Sequence, residues 1–239
     1  MRARDGSPSG YTELQTGCRF VYATPHAQPA LWEEYLAGAI TSYGRYGVES
    51  VLEYETIRDG STTTLFIVAQ APDGTVVGGM RAQGRYASPA QAHALVEWAG
   101  QPGEALLWGE IEERLPLGVV EMKSGWVDDH FPQRRPLTAA LARVIPHVMG
   151  VMQARYALCT VAEHAAPCWE TTGARPSSMI PAIPYPDERY RTVPMWWDLA
   201  TVRELSHPEQ WARLTEEGVA LTASRFAPER AEISECTAA

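Results

Sequence analysis

The chain has 239 residues, enough to bury a sizeable core as one large domain or two small ones. It is 45% hydrophobic and 21% charged, with 19 Gly and 18 Pro, a globular profile that excludes disorder and fibre. A net charge of −9, from 29 acidic and 20 basic residues with little clustering of the latter, argues against a nucleic-acid partner. All the basic residues are Arg except Lys123, a bias we read as that of a GC-rich bacterial genome.

The first fifteen residues are rich in Gly, Ser, Pro and charge and predict a loose terminus without a secretory signal. Arg19–Ala23 predicts a short strand. Pro29 opens a helix whose apolar face runs through Leu31, Trp32, Tyr35, Leu36 and Ile40. Thr62–Ala71 and Val76–Arg81, joined by Pro72-Asp73-Gly74-Thr75, predict a hairpin. Ser88-Pro89 starts a helix through Ala92, Leu95, Val96 and Trp98, and a Gly/Pro-rich connection leads to a central strand over Gly118–Val127. After a loop with Pro132 and Pro136 come a helix from Leu137 to Arg155, a strand over Tyr156–Val161 and a short helix over Ala165–Thr172.

Strands over Ser178–Ile183 and Arg191–Leu199 close the predicted domain. Beyond Ala200 we expect a short helix with Trp211 and Leu214, stopped by Gly218, and a mobile polar tail. The apolar stretch from Leu137 to Ala154 is broken by Arg143, Pro146 and His147, so no membrane span is expected. Cys18, Cys159, Cys168 and Cys236 follow no metal-ligand spacing and predict reduced thiols in a cytoplasmic protein. Strands that both pair as a hairpin and alternate with helices predict an α/β (α+β) fold. Its central sheet is mixed, mostly antiparallel, with helices on both faces.

The hairpin around Ile67-Val68-Ala69-Gln70-Ala71 and Gly78-Gly79-Met80-Arg81, the later strand-loop-helix-strand order, and Ala166-Pro167-Cys168-Trp169-Glu170-Thr171-Thr172-Gly173-Ala174 resemble the GNAT fold of N-acyltransferases. The resemblance covers Phe20 to Leu199. With the composition shifts at either end, the expected division is a loose terminus at 1–15, an acyltransferase domain at 16–200 and a helical appendage with its tail at 201–239. It implies an enzyme that moves an acetyl or other acyl group from a coenzyme A thioester to an amine of a small molecule, without a metal.

The family's phosphate-cradling pattern, Gln/Arg-x-x-Gly-x-Gly/Ala, is met here by Gln133-Arg134-Arg135-Pro136-Leu137-Thr138. Pro136 offers no N–H donor where the family has glycine, and Arg134 and Arg135 would pair with phosphate instead. An ordinary proline-led helix start with a solvated Arg pair fits the same residues. By resemblance, Gly125, Trp126 and Val127 border the thioester arm, with Trp126 either an acyl wall or core.

Period-2 alternation puts Glu121, Lys123 and Gly125 on one face of the central strand. Glu121 is thus either the general base, tuned by Lys123, or half of a salt bridge. Trp169 stands where many relatives have a tyrosine that protonates the leaving thiolate, and indole is no acid. Glu163 and His164 are the nearest replacements, and a lone His there is otherwise simply structural. Arg81, Lys123 and Tyr185 are expected to meet the acceptor, and Trp196-Trp197 a second copy in a homodimer.

The same hairpin and Val120-Glu121-Met122-Lys123 also resemble acyl-homoserine-lactone and N-acyl amino acid synthases, which take long acyl donors. Their strand usually reads Glu-x-x-Arg, and Ser124 departs from it. A non-catalytic sensing or interaction domain of the same fold is the remaining alternative.

Overall fold

The computed structural model describes residues 8–226. Its strands are β1 Ser9–Thr12, β2 Arg19–Ala23, β3 Leu65–Gln70, β4 Val76–Gly84, β5 Val119–Val127, β6 Tyr156–Ala162, β7 Arg175–Pro176 and β8 Thr192–Asp198. The helices are α1 Pro29–Gly44, α2 Tyr54–Ile57, α3 Ala94–Glu97, α4 Glu104–Arg114, α5 Arg134–Met152, α6 Ala166–Glu170, α7 Val202–Leu205 and α8 Pro208–Phe226. The strands form one sheet in the order β1-β2-β3-β4-β5-β6-β8-β7. Every pairing is antiparallel except that of β5 with β6.

Each face of the sheet has its own core. On one, α5 covers Tyr22, Ile67, Met80, Val120 and Met122 through Leu137, Leu141, Val144 and Val148. On the other, α1 seats Trp32, Tyr35, Leu36 and Ala39 against Phe66, Val68 and Trp126. That stripe follows the expected three- and four-residue spacing, except that its last member is Ala39, with Ile40 turned outward. Gly38 allows the close approach, since a Cβ there would meet the Trp126 ring at 2.0 Å. Farther along this face, α3 and α4 close a smaller core around Trp98, Leu107 and Ile111.

Several expectations need correction. Residues 9–12 of the predicted loose terminus form the edge strand β1, because Tyr11 buries its ring against Phe20. The Ser88 helix is broken: a 3-10 turn, capped by a Ser88–Gln91 box, precedes a separate α3. The Gly/Pro-rich connection hides α4, whose N-terminus follows Gly103 at φ 94°.

Ser178–Ile183 is not a strand, and only Ile183 bridges to Thr192. Gly218 does not stop the last helix, and α8 packs on β1 and α5 with Leu221 in the main core. The tail beyond residue 226 lies outside the described residues. Among the described residues no helix is long and apolar enough to cross a membrane.

Candidate active site

The site begins where two parallel strands stop pairing. β5 bonds β6 only from Val119 to Glu121, opposite Tyr156 to Leu158, and beyond Leu158 β6 pairs with β8 alone. A cavity of about 260 Å³ opens at this splay, walled by Met122–Gly125 of β5 and Cys159–Ala162 of β6. Its rim adds Tyr43, Glu97, Trp169, Tyr185 and Tyr190. A bulge sharpens the opening, since β4 advances from Gly79 to Arg81 while β5 goes from Trp126 to Lys123. Ser124 turns to φ 53°, and the exposed carbonyls of Ser124 and Gly125 accept from the hydroxyls of Tyr35 and Tyr43 at 2.8 and 3.2 Å.

The bulge also overturns the expected alternation. Trp126 drops onto the α1 face, the face of Glu121 and Lys123, while Val127 packs on the α5 face with Met122. Neither borders the cavity, and Trp126 packs in the core under α1; Gly125 does border it.

Glu121 is fully buried and its oxygens are already engaged. They accept from the Tyr86 hydroxyl at 2.8 Å and from the backbone N–H of His93 and Ala94 at 2.8 and 3.0 Å. The carboxylate thus ties the start of α3 to the sheet and stands outside the cavity wall. Burial, with the Glu121 charge beside it, pushes the Tyr86 hydroxyl far above its ordinary value, so that proton stays on Tyr86.

Lys123 does border the cavity, and its partner is Glu97, a residue the sequence reading passed over. Lys123 Nζ lies 2.5 Å from Glu97 Oε1, 2.8 Å from His93 Nδ1 and 3.7 Å from Glu121 Oε1. His93 Nδ1 also lies 3.1 Å from Glu97 Oε1, and its Nε2 lies 2.9 Å from Glu53 Oε2. Burial opposes ionisation of Glu97, but the Lys123 ammonium and the His93 contact outweigh it and bring its carboxyl down to about 2. Burial opposes the charge on Lys123 too, and Glu97 with Glu121 more than restore it, leaving it above its ordinary value. His93, Glu97 and Glu121 bring ligand atoms within 4.8 Å of one another, and this ammonium fills the place a metal cation would take.

The signal for Glu97 was an acid inside an otherwise apolar helical run. The helix break rotates that run, turning Val96 out to 64% exposure and Glu97 in.

The N-terminus of α5 offers few donors. The Arg134 N–H goes to Phe131 O, the Leu137 N–H goes to Gln133 O, and Pro136 has none. The Leu137 side chain is core, and the Thr138 hydroxyl turns back onto Arg134 O at 2.9 Å. The Gln133 amide reaches Gln15 O, and Arg134 is paired with Asp129 at 2.8 Å. Arg135 is exposed beside them.

Of the expected acceptor residues, Lys123 and Tyr185 border the cavity. Arg81 is buried behind it, on Ser124 Oγ at 3.3 Å and Thr63 Oγ1 at 3.5 Å. His164 is exposed on the turn after β6, next to Tyr190 and off the cavity wall.

A mixed sheet that splays between its two parallel strands, with a long helix behind the splay, is the fold of the GNAT N-acyltransferases. Among solved structures the chain resembles FeeM, an N-acyl amino acid synthase from uncultured soil microbes. That match has a TM-score of 0.53 and 14% identity over 81% of this chain and 98% of that one.

The sequence is 42% identical over 200 residues to the uncharacterised proteins Rv1356c of Mycobacterium tuberculosis and Mb1391c of Mycobacterium bovis. The match spans 84% of this chain and 76% of each of theirs, and the chain belongs to their family. No family model matches it.

Proposed function

We propose that this protein is an N-acyltransferase that moves an acyl group from a coenzyme A thioester to an amine of a small molecule. The observation that carries the reading is the splay between β5 and β6, a cavity with unpaired strand backbone on both walls. An extended thioester arm can join such an edge as an added strand does. Backbone N–H at the bulge then stabilises the oxyanion while the amine is held in attack geometry.

Glu97, held at about 2, is too weak a base to take the amine's proton. The amine therefore attacks in its neutral form. Glu121 acts by position, holding α3 and through it Glu97 at the cavity. With indole at Trp169, we assign the hydrogen bond to the departing thiolate to Tyr185, whose hydroxyl burial pushes up to about 12.

The α5 N-terminus favours a second reading. With the Arg134 and Leu137 N–H groups used within the chain, no N–H at Pro136 and the Arg134 side chain on Asp129, it suits a long acyl donor held mainly by its arm and chain, or a fold kept for ligand sensing.

Melting temperatures with acetyl-CoA, decanoyl-CoA and free coenzyme A separate these. A ligand at about 100 times its Kd adds roughly 2.7 kcal/mol, several degrees for a chain of this size. A shift with all three, reduced about tenfold in affinity by Arg134→Ala with Arg135→Ala, supports the nucleotide seat. A shift with decanoyl-CoA alone supports the long-chain reading. No shift with any of them removes the donor assignment.

A further inference from the structure

The cavity runs through the sheet, and its two ends differ in character. Toward the α5 face it is walled by Met80, Met122, Val161 and Trp169, all in or against the main core. Toward the α1 face the wall is Tyr43, Val48, Val51, Tyr185, Pro186 and Tyr190. Tyr43 packs on the α1 core and Tyr185 on the core under α3 and α4. Arg189 draws the turn that carries Pro186 and Tyr190 against the end of α1, donating to Tyr46 O and Gly47 O at 3.3 and 3.4 Å. A donor arm that reaches the splay from the N-terminus of α5 enters by the first end, which leaves the second to the acceptor.

That second end is uncharged wherever a ligand can touch it. Among the described residues that border the cavity, only Lys123 and Glu97 carry charge, and their side chains are 6% and 1% exposed. Lys123 Nζ faces Glu97, His93 and Glu121. Glu97 Oε1 takes Lys123 and His93, and Oε2 is closed off from solvent, with the Thr160 side chain beside the carboxylate. The six wall residues of this end are all half-buried instead, so the surface left open is aromatic and aliphatic.

Such a wall sorts acceptors by class. A carboxylate brought here, as by an amino acid, would lose its water and find no free cation. Arg81 lies behind the wall on Ser124 and Thr63, and Arg189 is paired with Asp187 at 2.7 Å. A second ammonium, as in a diamine, finds no carboxylate oxygen within reach. An uncharged ring covers the open apolar surface and meets the rings of Tyr43 and Tyr190, and ring pairs are favoured beyond the area they bury. Apolar surroundings also disfavour the ammonium form of the amine itself, leaving the lone pair that attack requires. At about 260 Å³ the cavity is smaller than the roughly 300–1,000 Å³ that drug-sized ligands occupy, which sizes the acceptor at one ring.

We propose that the acceptor is an arylalkylamine, a primary amine on a short chain ending in one uncharged aromatic ring. The ring lies against Tyr43 and Tyr190 while the neutral nitrogen attacks the thioester at the splay. This rests on the acyltransferase reading above. The C–N bond forms and the C–S bond breaks. The proton lost by nitrogen ends on the leaving sulfur, giving an N-acyl arylalkylamine and a free thiol.

The test compares 2-phenylethylamine, phenylalanine, butylamine and 1,4-diaminobutane, with whichever of acetyl-CoA and decanoyl-CoA shifts the melting temperature. The expected kcat/KM for 2-phenylethylamine is about ten- to a hundredfold above butylamine, the worth of burying one ring. It is about a hundredfold above phenylalanine, which differs by the carboxylate alone. 1,4-Diaminobutane should fall at or below butylamine. Tyr190→Ala, on a half-buried surface turn, should lower the ratio of 2-phenylethylamine to butylamine about three- to tenfold and keep the melting shift with the donor. A ratio unchanged in that variant overturns the assignment of the ring to this wall. Turnover of any of the other three amines at or above that of 2-phenylethylamine overturns the arylalkylamine and leaves the acyltransferase standing. Acylation of none of the four overturns both.

Discussion

Lys123 and Glu97 show how much of this site is one electrostatic decision. Neither charge is tolerable in the wall of a buried cavity alone, and each shifts the other toward its ionised form. Lys123→Met leaves Glu97 uncompensated and should cost about 3–5 kcal/mol in denaturant unfolding at neutral pH. Adding Glu97→Gln should recover most of that loss, which is the signature of a coupled pair.

The sign with pH follows from the depressed carboxyl. Glu97 contributes stability above its ordinary value of 4.5, and the contribution is lost as pH falls toward about 2. A wild-type stability curve flat across that interval would argue that the pair is not ionised as described. Glu121 makes the complementary point: on a central strand it reads as a base or as half of a salt bridge, and in the fold its oxygens accept from three donors.

At the scale of elements, the bulge at Ser124–Gly125 sets the working geometry. It opens the backbone to the cavity and moves Trp126 across the sheet onto α1. The contact with Gly38 is tight enough to test. Gly38→Ala should cost about 1–3 kcal/mol by overpacking, and Trp126→Leu in the same chain should relieve it by removing the ring. A Gly38→Ala protein as stable as the wild type would mean that α1 can back away from the sheet. The break between the 3-10 turn and α3 matters as much, since a continuous helix would turn Val96 toward the sheet in place of Glu97.

Over the whole molecule, residues from both ends of the described chain meet in one buried network. Arg143 of α5 pairs with Glu217 of α8 at 2.6 Å and with Glu13, just after β1, at 3.1 Å. Gln210 and His147 complete it. Burial opposes ionisation of Glu217, and the His147 and Arg143 contacts overcome it and keep its carboxyl low. Arg143→Met should strand two carboxylates and lower the melting temperature by about 10 °C, from roughly 3–5 kcal/mol at 2–4 °C per kcal/mol. A loss of only a degree or two would return α8 to the status of an appendage.

What the sequence determined by itself is local or periodic. The β3–β4 hairpin, α1, β5, α5 and β6 announce themselves through turn residues and spacing, because those signals are spent within ten or twenty residues of where they act. Lys123 and Tyr185 were visible as unusual residues at the right end of the fold. The tertiary structure decided the rest. Tyr11 is a strand residue only because Phe20 and Tyr22 are there to cover it, and α8 outlasts Gly218 because α5 and β1 bury its face. Glu97 becomes a cavity residue, and Glu121 an anchor behind it, through one extra residue in β5 and one broken helix. Such irregularities leave no period in a sequence, because their stabilisation comes from partners distant along the chain, 26 residues away for Glu97 with Lys123 and 89 for Tyr35 with Ser124.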